Sequence, residues 1–136
     1  MSERELGWLE AAIDGEGTLT LHRNKYSRPV KRGFAWVPRL MISNTNLEFL
    51  NRARAIIGGG SIQSNRRKTP RKTCYALVVT SNPMRLILPQ LRLIIKERHR
   101  VLLLEALALI TQVRPVKPEA DARLEEIYQE IRRLNR

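Results

Sequence analysis

Two carboxylates stand on either side of a glycine near the beginning of the chain. In the stretch WLEAAIDGEGT, Asp14 and Glu16 flank Gly15 at the end of a segment with helical periodicity. The C-terminal end of a helix carries a partial negative charge, so a lone carboxylate there is unfavourable unless a cation binds it. Hard divalent cations prefer oxygen ligands. The pair is therefore a candidate for metal-assisted chemistry.

The overall charge indicates a polyanionic partner. The 136 residues include 25 Lys and Arg against 13 Asp and Glu, which gives a formal net charge of +12. So basic a chain favours nucleic acid as its partner. Cys74 is the only cysteine, which excludes an internal disulfide framework and a multi-cysteine zinc site.

The length predicts one domain, residues 1–136, with its own hydrophobic core. No run approaches the roughly 20 apolar residues of a membrane span, and MSERELGW lacks the basic and then apolar pattern of a secretory signal. We therefore expect an intracellular protein, in the cytoplasm or an organelle matrix, that does not contact a membrane.

The first elements are a helix and two strands. Ser2 and Glu5 form a capping box that opens a helix over about residues 3–14. TLTLHR alternates between apolar and polar residues, as a half-buried strand does. FAWVPRLMIS reads as a second strand, and the proline within it predicts an edge position or a bulge.

A second helix and a second pair of strands follow. Thr45 and Glu48 repeat the capping-box spacing, and the glycines at 58–60 end the helix that they start. The next elements are the strands SIQSN and TCYALVVT, joined by RRKTPRK, which we expect to be an exposed, basic hairpin tip.

Helices occupy the rest of the chain. Asn82 before Pro83 predicts a helix start, and Pro89 interrupts that helix. A longer apolar helix should run from about Leu93 to Val113, followed after two prolines by a last amphipathic helix. The order of elements predicts an α+β domain with an antiparallel sheet and helices on one face.

Small residues form a stripe along the first helix. Gly7, Ala11 and Gly15 are spaced four residues apart, with Ala12 beside them. Small side chains in line let two helices approach more closely than the usual 8–10 Å range. The stripe fits either tight packing on the chain's own sheet or contact with the same helix of a second copy.

The segment LEAAIDGEG, residues 9–17, resembles the LAGLIDADG motif of homing endonucleases. Glu16 replaces the second Asp of the motif, and the family also uses a carboxylate of this kind. Ala11 and Glu10 depart from the pattern, and we expect Glu10 to face solvent or a basic partner. The αββαββα order of the family is also the order predicted here.

The resemblance implies a homodimer whose motif helices cross at a two-fold axis. The dimer interface would then be Gly7, Ala11, Ala12 and Gly15. Two Glu16 side chains, one per subunit, would supply carboxylates for Mg²⁺, with Gly15 in the same metal site, and such ions assist phosphodiester hydrolysis. The family implies a structural role for Asp14, in hydrogen bonds to helix ends.

Two further residues match the family's catalytic positions. Asn44, at the end of the second strand, corresponds to a polar side chain that helps hold the water network, although it could equally cap the next helix. Lys96 corresponds to a lysine close to the metal, with a solvated lysine as the alternative. His99 lies between two arginines, so we expect it to be exposed or part of a basic face.

The predicted sheet could bind DNA through one face. A two-stranded ribbon fits the major groove, where Arg suits guanine and Gln or Asn suits adenine. Alternation turns Leu19, Leu21, Trp36, Leu40 and Ile42 toward the helices. It leaves Thr18, Thr20, His22, Val37, Arg39 and Met41 on the other face. The predicted DNA-binding residues are Thr18, Thr20, His22, Arg39, Met41, Gln63, Asn65, Arg66, Arg67, Lys68, Arg71 and Lys72; a solvated strand face is the alternative.

The resemblance implies an intron-encoded, sequence-specific endonuclease that hydrolyses both strands of a long pseudo-palindromic site in double-stranded DNA with Mg²⁺. One alternative is a splicing factor (maturase) that binds intron RNA. The other is a non-cleaving DNA-binding regulator on the same scaffold. Retention of Glu16 favours the endonuclease.

Overall fold

The computed structural model describes residues 1–25, 34–65, 73–112 and 117–136. Its described part contains five α-helices and four strands, together with a 3₁₀ turn at Leu88–Gln90. In chain order they are α1 (Glu3–Glu16), β1 (Gly17–Lys25), β2 (Phe34–Asn44), α2 (Leu47–Ile57), β3 (Ser61–Asn65), β4 (Cys74–Val79), α3 (Ser81–Ile87), α4 (Glu97–Gln112) and α5 (Pro118–Leu134). No helix among these residues is long and apolar enough to cross a membrane.

The four strands form one antiparallel sheet in the order β1-β2-β4-β3. β1 pairs with Phe34–Ile42 of β2, whereas β4 pairs with Leu40–Asn44 of the same strand. Pro38 lies opposite Leu21 of β1, in the half of β2 that β4 does not reach. Its missing N–H is tolerated there because this half of β2 has a neighbour on one side only. β2 is therefore an inner strand of the sheet, but at Pro38 it has a neighbour on one side only, as an edge strand does.

One face of the sheet, here called the inner face, packs under the helices. Strand residues point to alternate faces, so every second residue of each strand reaches this side. The side chains predicted to face the helices are indeed at most 4% exposed. Other buried members come from β4 and all five helices, including Leu77, Leu9, Leu50, Met84, Leu102 and Ile127. The α+β fold with an antiparallel sheet and helices on one face is confirmed.

The first helix begins and ends abruptly. The Ser2 hydroxyl accepts the Glu5 N–H at 3.1 Å and the Glu5 carboxylate accepts the Ser2 N–H at 3.0 Å, so the predicted capping box is present. The helix continues to Glu16, two residues past the predicted end. A Cβ at Gly17 would lie 2.8 Å from the Ile13 carbonyl oxygen, so only glycine lets β1 follow α1 without a loop.

Two predicted helix starts are wrong, the first by one residue and the second by two. The N-cap of α2 is Asn46, whose Oδ1 accepts the Phe49 N–H at 3.3 Å, and not Thr45. α3 begins at Ser81, before the predicted cap at Asn82, and its N-cap Thr80 makes no side-chain cap hydrogen bond. Several Asn, Ser and Thr residues compete at each of these junctions, and tertiary geometry selects among them.

The helix predicted from Leu93 instead begins at Glu97. Residues 91–96 are apolar enough to look helical, but their backbone follows a non-helical path. The N–H groups of residues 92–96 donate to carboxylates, including Asp14 of α1. These acceptors replace the hydrogen bonds that a helix would have made.

The last helix and the residue that follows it are held to strands β1 and β2. Trp36 Nε1 donates to Asp121 Oδ1 at 2.7 Å, and its ring lies 5.7 Å from that of Tyr128. Asn135 Nδ2 donates to the Leu19 carbonyl at 3.1 Å. The prediction for His99 is wrong: it is only 7% exposed, and its Nε2 lies 2.9 Å from Asn135 Oδ1. This contact comes from Asn135, 36 positions along the chain, and the local sequence around His99 does not indicate it.

Candidate functional site

The end of α1 meets the end of β2. Glu16 is exposed at the last position of α1, and Asn44 Nδ2 donates to its Oε2 at 3.1 Å. The other end of the same amide, Oδ1, accepts the Asn46 N–H at 2.8 Å. Asn44 therefore both orders the turn before α2 and touches the acid. Because the backbone occupies Oδ1, the amide NH₂ is directed at Glu16.

Lys96 lies against the same end of α1. Its Nζ donates to the Asp14 carbonyl at 2.6 Å, and its N–H donates to Asp14 Oδ1 at 3.0 Å. The carbonyls of the last helical turn lack helical partners, and a cation there complements the helix dipole. Lys96 is half-buried. The geometry is therefore not that of a freely solvated lysine.

Asp14 makes several backbone hydrogen bonds. Its two oxygens accept the N–H groups of Ile94, Ile95 and Lys96 at 2.8, 3.2 and 3.0 Å. A carboxylate with so many donors cannot easily serve as a metal ligand as well. Glu16, two residues on, is the exposed acid of the pair.

One chain offers few metal ligands at this position. Among the described residues, no group of three or more His, Cys, Asp or Glu side chains could hold a metal ion. Glu16 contributes one exposed carboxylate, and Gly15 beside it is also exposed. Divalent cations take six or more oxygen ligands. The donor set therefore fits such a cation only if further oxygens come from outside the chain.

The small-residue stripe of α1 is uncovered. Gly7, Ala11 and Gly15 are exposed, and a Cβ built at either glycine would have no atom within 4 Å. Ala12 differs, because it is only 6% exposed and packs in the chain's own core. Ala12 therefore offers little exposed surface to a second copy, and its assignment to the dimer interface stays a prediction. The Ala12 side chain points about 100° around the helix axis from that of Ala11, and so away from the stripe.

Two isoleucines beside this stripe were missed by the sequence analysis. Ile94 and Ile95 are 91% and 71% exposed, although an isoleucine is usually buried. Their N–H groups bind Asp14, the neighbour of Gly15. An apolar run such as LRLIIK predicts core residues, and no local signal in it shows that these two face outward.

The face of the sheet opposite the helices, here called the outer face, carries the predicted DNA-binding residues. The strand register places Thr18 beside Met41, Thr20 beside Arg39, and His22 beside Val37. Gln63 joins this face through Ala76 of β4. Asn65 pairs with Cys74 in the same register, but its side chain lies outside the described residues. Residues 66–72 also lie outside them, and these include the predicted DNA-binding residues Arg66, Arg67, Lys68, Arg71 and Lys72.

Arg39 is the outer-face cation within the described strands. Its Nη2 contacts Met41 Sδ at 3.4 Å, and its buried Nε has no hydrogen-bond partner in the described part of the chain. Burial, together with the nearby Arg39 charge, lowers the pKa of His22. His22 is therefore neutral at pH 7, with one ring nitrogen to donate and one to accept. Arg39 is half-buried, so an external acceptor would meet the exposed part of its side chain and not the buried Nε.

A groove extends the outer face past the edge of β1. Its volume is about 450 Å³, and its walls include Thr18, Thr20 and His22 together with Arg132 and Arg136 near the end of the chain. Neither arginine was predicted from the sequence. A basic last turn is common in amphipathic helices, and nothing local indicates that this one lies beside β1.

Solved structures with the same fold are homing endonucleases. I-CvuI, in complex with its target in the presence of Ca, aligns over 96% of this chain and 82% of its own, with 15% identity and a TM-score of 0.79. The archaeal intron-encoded I-Vdi141I, complexed with DNA, aligns over 97% and 84%, with 21% identity and a TM-score of 0.75. I-SmaMI, bound to cleaved DNA, aligns over 93% of this chain but 43% of its own, with 17% identity and a TM-score of 0.73.

The likeness defines a class of fold shared with DNA-cleaving enzymes. The chain has the LAGLIDADG homing endonuclease fold, and the resemblance seen in residues 9–17 is confirmed at that level. The sequence itself matches no protein-family model and no curated protein.

Proposed function

We propose that the protein is a sequence-specific homing endonuclease that hydrolyses both strands of double-stranded DNA with a divalent metal, Mg²⁺. The observation that carries the proposal is the exposed Glu16 carboxylate at the end of α1, held by Asn44 with Lys96 nearby. This arrangement occurs in a basic chain whose solved structural neighbours are homing endonucleases, some complexed with DNA. Such a substrate implies that the protein acts inside the cell.

The active unit is a homodimer formed through α1. Gly7, Ala11 and Gly15 leave room for a second α1 to approach closely, and Ile94 and Ile95 add exposed apolar surface beside them. The size of I-SmaMI agrees, since 93% of this chain spans only 43% of it. Two copies would bring two Glu16 side chains near one axis, which supplies the second carboxylate that one chain lacks.

Each residue of the site has a distinct part in the chemistry. A bound Mg²⁺, held by Glu16 and the Gly15 backbone, would supply an activated water and stabilise the leaving oxygen. Asn44 orients the Glu16 carboxylate through its NH₂ group. Lys96 carries a positive charge to the end of α1, where it favours the approach of a scissile phosphate.

The outer face binds the DNA. Arg39 offers its half-exposed guanidinium for guanine, and Gln63 can read adenine. Thr18, Thr20, His22 and Met41 complete the described part of this surface. Asn65 and the basic segment 66–72 continue it along the sequence, and we propose that its arginines and lysines hold phosphates. A two-fold dimer then requires a pseudo-palindromic site.

A cleavage selection on a randomised duplex library tests the function. Wild type and Glu16→Gln are incubated with Mg²⁺ or with Ca²⁺, and cut sequences are recovered. We expect a pseudo-palindromic site from wild type with Mg²⁺, and a loss of at least about a hundredfold in rate for Glu16→Gln with binding retained. Glu119→Gln, an exposed acid on α5, is the matched charge control and should cleave normally.

The other outcomes are also informative. A fully active Glu16→Gln variant contradicts the catalytic assignment. Enrichment of bound duplexes without cleavage in any sample supports a DNA-binding regulator instead. Binding of structured intron RNA without duplex cleavage supports the splicing alternative.

A further inference from the structure

Five consecutive backbone N–H groups, those of residues 92–96, all donate to carboxylates. This 92–96 segment is the non-helical approach to α4. Three acids take part. Arg92 donates to Glu10, Leu93 to Glu97 at 3.2 Å, Ile94 to Asp14 at 2.8 Å, Ile95 to Asp14 at 3.2 Å and Lys96 to Asp14 at 3.0 Å.

The arrangement uses scarce acids to bind backbone N–H groups. The chain has only 13 Asp and Glu, and three of them bind this one segment. Glu10 and Asp14 are four residues apart, so they lie on one face of α1. Hydrogen bonds from an N–H group to an ionised acceptor are about twice as strong as neutral ones. The segment is therefore fixed along α1 at both of its ends.

A salt bridge secures the third acid. Arg100 Nε donates to Glu97 Oε1 at 2.7 Å, and Arg100 Nη1 donates to the Leu88 carbonyl at 3.3 Å. The hydrogen bond from Arg100 lowers the pKa of Glu97, and the same hydrogen bond, together with the charges of Glu97 and Glu10, raises the pKa of Arg100. Glu10 thus has a basic neighbour in addition to the N–H group that it accepts.

The last residue of the segment is Lys96, whose Nζ donates to the Asp14 carbonyl at 2.6 Å. Any slippage of the segment would move this amine away from the end of α1 and so from Glu16. Glu10 anchors the opposite end of the segment, at Arg92. This explains why an acid is useful at position 10, where the LAGLIDADG motif has a small residue.

We propose that Glu10 is a positioning residue for cleavage: it fixes the 92–96 segment and so holds the Lys96 amine at the end of α1. The inference rests on the proposed endonuclease function. Glu97 supports the same segment from the α4 side.

A double-mutant cycle tests the proposal. Single-turnover cleavage of the selected duplex with Mg²⁺, and duplex affinity with Ca²⁺, are measured for wild type, Glu10→Ala, Glu10→Gln, Lys96→Met and Glu10→Ala/Lys96→Met. We expect Glu10→Ala to slow cleavage about tenfold without weakening binding. Glu10→Gln should keep most of the rate, because its amide oxygen still accepts the Arg92 N–H. In the Lys96→Met background, Glu10→Ala should have no further effect.

Hydrogen exchange of the free protein provides a readout that does not depend on activity. The amides of residues 92–96 should exchange slowly in wild type and Glu10→Gln, and faster in Glu10→Ala. Glu119→Ala is the charge-matched control and should leave both exchange and cleavage unchanged. Unaltered exchange in Glu10→Ala, or rate losses that simply multiply in the double variant, would overturn the inference while leaving the endonuclease function intact. A wild type that cleaves no duplex would overturn the proposed function and this cleavage role together.

Discussion

The two faces of the sheet differ in both packing and charge. On the inner face, Leu19, Leu40 and Leu77 are fully buried under the helices. On the outer face, the neighbouring residues Thr18, Arg39 and Met41 are only half-buried. None of the four strands contains an Asp or a Glu. The same backbone thus builds a core on one side and an acid-free surface on the other.

The helices show the opposite pattern of charge. Several of their basic side chains are paired with carboxylates. The pairs in the described residues include Arg98 with Glu130 at 2.9 Å, Arg100 with Glu97 at 2.7 Å, Arg123 with Glu105 at 2.6 Å, and Arg23 of β1 with Glu125 of α5. In the sequence, residues 17–46 and 61–80 contain 11 Lys and Arg and no Asp or Glu, so most of the net charge of +12 belongs to the strands and the segments that connect them.

The largest expected contrast is in stability, between two adjacent residues of β2. Leu40→Ala removes a fully buried side chain from the inner face and should lower the free energy of unfolding by about 2–5 kcal/mol. Met41→Ala alters the outer face and should cost under about 1 kcal/mol. Urea denaturation of both variants measures the difference. Equal losses of unfolding free energy in the two variants would mean that Met41 on the outer face is also packed against other residues.

The second contrast is in DNA affinity, between two arginines. Arg39→Ala should weaken binding of the selected duplex by about 1–3 kcal/mol, because the variant has no guanidinium to donate to a base. It should hardly change stability, since the buried Nε of Arg39 has no hydrogen-bond partner within the described residues. Arg123→Ala removes the same charge from the helical side, where Glu105 already neutralises it, and should bind DNA normally. Fluorescence anisotropy with Ca²⁺ distinguishes the two variants.

The sequence predicts the faces of the sheet well because a strand has a period of two residues. The capping box at Ser2 is equally local, and it is present. The 92–96 segment could not be predicted, since the acids that hold residues 92, 94, 95 and 96 lie some 80 residues away on α1. His99 was misjudged for the same reason, because Asn135 buries it from the far end of the chain.

The third contrast is in salt dependence, between the hairpin and the helices. Each phosphate that the protein neutralises should contribute about −0.9 to the slope of log affinity against log salt concentration. Replacing Arg66 and Arg67 by Ser should make the slope less steep by about 0.9 for each phosphate that is no longer neutralised. Arg123→Ser should leave it unchanged, because that guanidinium is already paired. Titrations between low and moderate salt measure the slopes. A flat wild-type plot would contradict phosphate-based binding.

The smallest contrast concerns pH and His22. Burial and the Arg39 charge lower the pKa of His22, so between the unfolded and folded pKa values the unfolded chain binds more protons. This contribution to stability is complete above the ordinary histidine pKa of about 6.5 and is lost as the pH falls toward the folded value. His22→Gln should remove that part of the pH dependence, and the difference between the two unfolding profiles measures it. Bound DNA should reverse the sign, because phosphates favour the protonated ring. Acidification would then weaken the free fold while strengthening the complex, which is the behaviour expected of a histidine on the DNA-binding face and not of one in a core.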